Sequence, residues 1–332
     1  MRRFLLSTLA VSGLSLAGAC GGDDGGGGGG GGQSAGACVP QAAECYASTP
    51  SGAGAECMAK GDNTGAAKWQ GRLTSILVKA PASLSNEFVQ AQVIDKGISL
   101  KQAACNENGD GTFSWLFEID PATNKMKTGG SKPVTDPKGG GCFVKLPGAA
   151  LPVQPIEVDV TVSADKKTFT AENIDVNVPI FLSPTDLSNP IILPLHEVKI
   201  QATFNDDDHN CVGKYNGPEL DPVNSCQPDS KAIPPQRAWT PAGNLKGYIT
   251  IDEADKVMVD ELGATLCVLL AGQSWKGPSK DCQSSDTWKA GQRPEGDWCA
   301  ATNAPADASC KDSYLLEGDF AAAAFKISGD CP

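Results

Sequence analysis

Two stretches in which apolar and polar residues alternate, the second with one change of parity, most constrain what this chain can fold into. The first places apolar side chains at every second position, namely Ile156, Val158, Val160 and Val162. After a polar turn at 163–167, the second continues the alternation with Phe169, Ala171, Ile174, Val176, Val178 and Ile180. A period of two is that of a β-strand with one buried face. The two stretches therefore predict a long antiparallel hairpin.

Other β-like segments lie on both sides of this hairpin, at residues 69–79, 112–119, 198–204, 247–251 and 314–327. A helix through the alanines is the alternative for the last of them. One amphipathic helix is predicted from about Asp252 to Leu270, with a capping box formed by Thr250 and Glu253, and a short helix over 85–94. No βαβ alternation is present. The fold class predicted is mostly β with α elements (α+β), an antiparallel β-sandwich-like domain with one or two helices packed on one side.

The cysteines supply a second constraint. The chain has 13 of them, an odd number that cannot pair completely, and assigning Cys20 to a lipid leaves twelve that can. The remaining twelve predict a disulfide-rich chain in an oxidising compartment. They are Cys38, Cys45, Cys57, Cys105, Cys142, Cys211, Cys226, Cys267, Cys282, Cys299, Cys310 and Cys331. If the two middle pairs, Cys105–Cys142 and Cys211–Cys226, close locally, a bridge must join residues 38–57 to residues 267–331. Cys267 is expected to fasten its helix to a later loop.

The first residues have the pattern of a secretory signal peptide, with Arg2 and Arg3 ahead of an apolar stretch and small residues at 17–19. Residues 1–19 are predicted to be removed, and Cys20 is predicted to carry a lipid. Residues 20–37 then form a glycine-rich tether with a reach of about 20 Å. Release as a secreted protein, after a cut at Ala17-Gly18-Ala19, is the alternative. By resemblance to Gram-negative lipoproteins, Gly21 implies the outer membrane, on its periplasmic face or at the cell surface.

Composition narrows the partners of the mature chain. Without Arg2 and Arg3, 25 basic side chains oppose 39 acidic ones, a net charge of −14. Nucleic acids and anionic lipid surfaces require a positive face, so neither is an expected partner. The membrane is contacted through the lipid anchor, and a surface protein or a glycan is the remaining partner class. Residues 38–66 are predicted to be a disulfide-stapled N-terminal segment and 67–332 a single extended β-rich domain with Cys/Trp-rich C-terminal loops.

No cofactor is expected, except that two oxygen-rich loops are candidates for calcium. Asn106, Asn108 and Asp110 recur at alternate positions, as in a calcium loop, although Phe117 occupies the place of the usual bidentate glutamate. Asp206 and Asp208 belong to a second acidic run, in which a cation would relieve repulsion between carboxylates. Tight or solvated turns are the alternative for both loops.

Three tryptophans cluster in the C-terminal loops, at Trp275, Trp288 and Trp298. Exposed tryptophans on stapled loops can stack on sugar rings or peptides, and buried ones fill small disulfide-rich cores. The only histidines are His196 and His209. The G-x-S-x-G string at residues 32–36 belongs to the predicted glycine-rich tether, and no strand pattern precedes it as a nucleophile elbow requires. No catalytic residue is assigned. A hydrolase would need a serine, a histidine and a carboxylate that meet only in the folded chain.

Several strings resemble an uncharacterised group of bacterial secreted proteins and lipoproteins: NGDGTFSWLFEID (108–120), MKTGG (126–130), GCFV (141–144), GYITIDEAD (247–255) and LGATLCVLL (262–270). The resemblance covers roughly residues 70–330 and implies one extended domain without a defined activity. The function expected from the sequence is a non-enzymatic surface binding or scaffold domain on a lipid anchor. The alternatives are a calcium-assisted glycan- or protein-binding adhesion module and an extracytoplasmic hydrolase.

Overall fold

A computed structural model describes residues 53–86, 90, 113–133, 139–149, 151–181, 183, 187–188, 190–216 and 237–332. The predicted signal peptide, Cys20 and the tether lie outside these residues, as do most of the helix predicted over 85–94 and the whole of the 106–112 loop. Cys38, Cys45, Cys105 and Cys226 also lie outside them. No helix of the described residues is long and apolar enough to cross a membrane.

Strands dominate the described residues. In chain order they are β1 Trp69–Ala80, β2 Trp115–Asp120, β3 Lys125–Gly130, β4 Gly141–Phe143, β5 Ile156–Asp159, β6 Thr161–Val162, β7 Thr168–Ile180, β8 Ile191–Thr203, β9 Cys211–Val212, β10 Lys214–Tyr215, β11 Trp239–Thr240, β12 Gly243–Thr250, β13 Met258–Val259, β14 Ala264–Thr265, β15 Trp298–Cys299, β16 Ala304–Pro305, β17 Ser313–Ala324 and β18 Ile327–Asp330. The helices are α1 Ile251–Ala254, α2 Leu266–Ala271 and α3 Asp286–Lys289, with 3-10 turns at Ala55–Cys57, Asp260–Leu262 and Gln273–Trp275. The predicted fold class, mostly antiparallel β with few short helices, is confirmed.

One large antiparallel sheet runs in the order β5-β3-β2-β1-β17-β12-β8-β7-β6. Its first and last strands, β5 and β6, are consecutive in the chain and are separated only by Val160. The segment 156–162 therefore pairs with β3 along its first half and with β7 along its second half. This shared segment closes the sheet on itself. The two facing layers expected of a sandwich belong to a single curved sheet.

The predicted hairpin at 156–180 is only partly correct. Its turn forms, and Thr161 and Val162 pair with Thr170 and Phe169. Residues 156–159, however, pair with β3, and the main partner of β7 is β8, along nearly the whole length of both strands. Alternation defines which face of a strand is buried, but it does not define the neighbouring strand.

The main core fills the interior of this closed sheet. Aromatic residues from opposite sides meet there, with the Phe117 and Phe169 ring centroids 5.8 Å apart. Phe169, Ala171 and Ile174 are at most 2% exposed, as the alternation predicts. A second core, which contains Ile249, Val268 and Tyr314, lies under the helices at one end of the sheet.

That second core belongs largely to residues 251–312, here called the C-terminal insertion. It leaves the sheet after Thr250 and returns at Ser313, two residues that pair with each other on neighbouring strands. The single helix predicted from Asp252 to Leu270 is wrong, because the segment forms two short helices, α1 and α2, separated by the β13–β14 hairpin. The capping box at the start of α1 is confirmed.

Four disulfides join described cysteines: Cys57–Cys211, Cys142–Cys331, Cys267–Cys282 and Cys299–Cys310. The predicted bridge between residues 38–57 and 267–331 is wrong, since all five C-terminal cysteines have other partners. Local closure of the two middle pairs is wrong as well. The reason is strand order, because β9 lies beside β17 near Cys57, and β4 lies beside β18. The predicted staple from Cys267 to a later loop is confirmed.

Candidate functional site

An open groove of about 650 Å³ lies at the surface of the C-terminal insertion. Its lining residues come from α2, the 3-10 turn that follows it, the loop after α3, and strand β17. They are Leu270, Ala271, Trp275, Gln292, Arg293, Glu295 and Tyr314. Leu270 and Ala271 are the apolar residues of the lining and are here called the floor. Gln292, Arg293 and Glu295 carry planar polar groups and are here called the polar wall, and Trp275 adds one indole. The volume of the groove falls within the range of about 300–1,000 Å³ that is usual for small-molecule sites.

The floor of the groove is held by covalent and polar links behind it. Cys267 of α2 is bonded to Cys282, 15 residues further along the chain. The buried carboxylate of Asp255 accepts hydrogen bonds from Thr265 Oγ1 at 2.7 Å and from the backbone N–H of Cys282 at 2.7 Å. A third bond comes from the N–H of Gln283 at 3.0 Å. These links fix α2 and the turn bearing Trp275 relative to α1.

Helix α3 positions the polar wall. Ser285 caps this helix, because its hydroxyl accepts a hydrogen bond from the N–H of Trp288 at 3.1 Å. The guanidinium of Arg293 then lies over the Trp288 ring, 4.0 Å from its centroid. Its Nη1 also donates to the backbone carbonyls of Trp288 and Gln292, at 3.3 and 3.1 Å. Arg293 is therefore held in one orientation although it is exposed.

The polar wall meets β17 through a glycine. A Cβ at Gly296 would overlap the backbone carbonyl of Ser313, so the chain can approach the strand this closely only without a side chain. Glu295, next to it, pairs with Lys311 at 2.8 Å, with 72% of the Glu295 side chain exposed. The close approach at Gly296 brings the chain next to Glu295 against Ser313, the residue before Tyr314.

Tyr314 is the most buried polar group of the groove, with 6% of the residue exposed. Burial raises its pKa to about 12, and the negative charge of Asp297 adds to the shift. The phenol therefore stays neutral at every physiological pH and can both donate and accept a hydrogen bond. Within the described part of the chain, no group forms a hydrogen bond with its hydroxyl.

The three tryptophans predicted as binding residues fall in different places. Trp275 lines the groove, and Trp288 supports the groove from behind Arg293. Trp298 is not among the lining residues, and its Nε1 donates to Asn303 Oδ1 at 3.1 Å. Sequence reasoning missed Gln292, Arg293, Glu295 and Tyr314. The loop signal at Gly291-Gln292-Arg293-Pro294-Glu295-Gly296, polar residues between two glycines, is the one that would have indicated the wall.

The acidic loop predicted to bind calcium is partly described. Asp206 Oδ1 accepts a hydrogen bond from the N–H of Asn210 at 2.9 Å, and Asp207 pairs with Lys167 at 2.9 Å. Asp208 is half-buried. Asn106, Asn108 and Asp110 lie outside the described residues, so calcium binding at either loop stays a prediction.

Among the described residues, three clusters bring together side chains of the types that bind metal ions. They are the cluster of Asp255, Cys267 and Cys282, the cluster of Cys299, Cys310 and Asp312, and the cluster of Glu56, Asp206 and Cys211. Every cysteine in these clusters is bonded to another cysteine. A disulfide sulfur is not a thiolate and does not serve as a strong metal ligand. Each cluster therefore offers at most two carboxylates as possible metal ligands.

His196 lies between two carboxylates at an irregular point of the sheet. Its Nε2 is 2.9 Å from Glu253 Oε1, and its Nδ1 is 3.4 Å from Asp175 Oδ1. Burial acts to raise the pKa of Glu253, but hydrogen bonds from Thr250 and His196 outweigh it and hold the pKa below its usual value. The Thr250 hydroxyl donates to Glu253 at 2.6 Å and not to the imidazole. This order of groups differs from a hydroxyl–imidazole–carboxylate relay.

His209 has a structural environment. Its ring stacks on Trp69 with centroids 3.7 Å apart and planes 8° from parallel. Its Nε2 lies 3.1 Å from the carbonyl of Lys166. Burial lowers the pKa of His209, and the hydrogen bond to Lys166 only partly offsets that effect. His209 thus joins the β6–β7 turn to the first strand.

Comparison with known proteins adds no relative: no family model, curated protein or solved structure matches the chain.

Proposed function

We propose that the chain is a lipid-anchored extracytoplasmic binding protein that holds a glycan in the Trp275 groove without transforming it. The observation that carries the proposal is the lining, which brings one indole, Trp275, into the same groove as the planar polar side chains of Gln292, Arg293 and Glu295. A sugar ring has an apolar C–H face and a rim of hydroxyls. An aromatic side chain suits the face, and groups with fixed donors and acceptors suit the rim.

The single carboxylate of the lining favours binding over hydrolysis. Among the described residues that line the groove, Glu295 alone carries a carboxylate, and Lys311 neutralises it at 2.8 Å. Glycoside hydrolysis ordinarily needs two carboxyl groups on opposite sides of the scissile bond, about 5–9.5 Å apart. The lining offers orientation and hydrogen bonding, which are the requirements of a receptor.

The test is a glycan array probed with the disulfide-intact chain, followed by titration calorimetry with the best ligand. Trp275→Ala is expected to weaken binding at least about tenfold, because it removes the stacking surface. Trp298→Ala is the matched control, since it deletes an equal side chain outside the groove, and its affinity should stay within about twofold.

Because Trp275 also packs against the second core, a loss of folding must be separated from a loss of binding. Gln292→Ala serves for this, since Gln292 is exposed and its truncation leaves the core intact. It should weaken binding while the thermal midpoint is unchanged. An array without any hit, or equal losses for Trp275→Ala and Trp298→Ala, would reject the proposal.

The anchor is tested separately from the groove. We expect the wild-type chain to partition into detergent and membranes when it is expressed in a Gram-negative host. Cys20→Ala should appear in the soluble extracytoplasmic fraction, because the acyl chains that hold the protein are attached to that thiol. Mass spectrometry of the mature N-terminus checks the modification. A Cys20→Ala chain that stays in the membrane would contradict lipid anchoring through this residue.

A further inference from the structure

Arg293 is held in the groove by only one edge of its guanidinium group. The Nη1 end is occupied by the carbonyls of Trp288 and Gln292, and the plane is covered on one side by the Trp288 ring. Within the described residues, Nε and Nη2 have no hydrogen-bond partner. These two atoms form the side edge of the fork, whose parallel N–H groups match the two oxygens of a carboxylate.

Tyr314 offers a second polar group to a ligand in the same groove. It is buried, it lines the same groove, and its hydroxyl has no hydrogen-bond partner among the described residues. Solvent reaches the hydroxyl through the groove, so a ligand oxygen can take the place of water on it. With its pKa raised to about 12, this phenol also adds no negative charge that would repel an anion.

The local charge agrees with this geometry. The whole chain carries a net charge of −12, yet the groove lining holds one unpaired cation, Arg293, since Glu295 is paired with Lys311. The positive charge of Arg293 favours an anionic ligand at its own guanidinium, and the negative charge of Asp297 near Tyr314 opposes it in part.

We infer that the groove selects a glycan whose sugar carries a carboxylate, such as a uronic acid, with the carboxylate on the Nε–Nη2 edge of Arg293. The inference rests on the proposed glycan-binding function and adds the ligand class to it. Trp275 stacks on the ring, and the Tyr314 hydroxyl donates to an oxygen of the same ligand. Arg293 is then the residue that determines specificity.

The test compares oligogalacturonate with its methyl ester, which has the same sugar rings but no charge. Both are titrated calorimetrically against the disulfide-intact chain, with chelator present so that calcium cannot bridge ligand and protein. Wild type is expected to bind the free acid at least about tenfold more tightly than the ester, the size of effect that a charge-assisted pair provides.

Arg293→Gln should bring this acid-to-ester ratio close to one. Arg237→Gln, which removes the same charge from an exposed residue outside the groove, should leave the ratio unchanged. The ratio is informative because a merely structural loss would weaken both ligands equally. Equal binding of acid and ester by wild type would overturn the inference and leave the proposed function standing. Binding of neither ligand, together with an array without hits, would reject the proposed function itself.

Discussion

Replacing Asp255 by alanine would remove the carboxylate that joins α1 to the loops behind the groove. Asp255 is 8% exposed and accepts from Thr265 Oγ1 at 2.7 Å, from Cys282 N at 2.7 Å and from Gln283 N at 3.0 Å. Thr265 and Cys282 are buried, whereas water reaches Gln283. The substitution therefore leaves two buried donors without an acceptor.

Each buried donor left unpaired costs about 1–3 kcal/mol, so two of them lower the free energy of unfolding by about 4 kcal/mol. At about 2 °C per kcal/mol for a chain of this size, the thermal midpoint should fall by about 8 °C. Asp255→Asn keeps one oxygen for the buried donors. It should lose only about half as much stability, because an amide nitrogen then faces the N–H of Gln283.

Urea unfolding of the disulfide-intact chain measures these differences, with Asp260→Ala as the control. Asp260 is an exposed aspartate of the same insertion, and its loss should change the free energy of unfolding by less than about 0.5 kcal/mol. If Asp255→Ala lies within about 1 kcal/mol of that control, the three hydrogen bonds do not stabilise the insertion. Asp255 would then not be the group that fixes the groove relative to α1.

Three further perturbations test other links. Replacing both Cys267 and Cys282 by alanine should lower the free energy of unfolding by about 3 kcal/mol, the value expected for the loss of a disulfide that closes a 15-residue loop. Urea titration measures the difference, and an unchanged free energy of unfolding would contradict a stabilising role for this disulfide. Glu253 has a lowered pKa, so its stabilising effect is complete above about pH 4.5 and is lost as the pH falls through the lowered value. Glu253→Gln should therefore flatten the stability curve below about pH 5, and parallel curves would refute this. His209 also has a lowered pKa, so its effect is complete above about pH 6.5 and is lost on acidification. His209→Gln should remove that loss and the accompanying change in Trp69 fluorescence, and an unchanged acid transition would count against the stacked environment.

Sequence pattern was informative wherever a strand has one buried face. The apolar positions of β7 change parity between Ala171 and Ile174, and the structure shows a register shift at that point. Asn173 adopts a positive φ of 56° there, as an inserted residue in a β-bulge can. The change of parity was thus a sign of the bulge as well as of the strand.

Strand partners could not be predicted in the same way. Residues 156–162 show one uninterrupted alternation, yet they divide between β3 and β7. The same holds for the cysteines, because Cys57–Cys211 and Cys142–Cys331 span 154 and 189 residues. Such pairings follow from the order of strands in the closed sheet, and local sequence carries no record of that order.

The predicted long helix failed for a related reason. The apolar spacing of residues 252–270 suits a helix, but Gly263 adopts a positive φ of 61° and ends the 3-10 turn before α2. The hydroxyl of Thr265 donates a hydrogen bond to Asp255, and this bond stabilises the hairpin in place of a continuous helix. Tertiary hydrogen bonds outweighed a helix propensity that was already weakened by glycine.

The groove was predictable only in its tryptophan, because its parts meet through the fold. Of the tryptophans that the sequence predicts to bind, Trp275 lines the groove, while Trp298, with the same sequence signal, lies elsewhere, and binding by either stays a prediction. Arg293 and Tyr314 come from segments that only the closed sheet and the Gly296 contact bring together. Residue type indicates what a side chain can bind, and geometry determines which side chains share a ligand.

The disulfides divide the described residues into two separately crosslinked parts, the sheet and the C-terminal insertion. Thr250 and Ser313 pair directly, so the whole C-terminal insertion leaves and re-enters the sheet between two neighbouring strands. Two of the described disulfides close within the insertion, and the other two join only residues outside it. Each part is therefore crosslinked without the other. The polar residues Gln292, Arg293 and Glu295 of the lining belong to the insertion, whereas Tyr314 belongs to strand β17 of the sheet. A rigid scaffold with a separately fastened loop region is the arrangement in which binding residues can diversify.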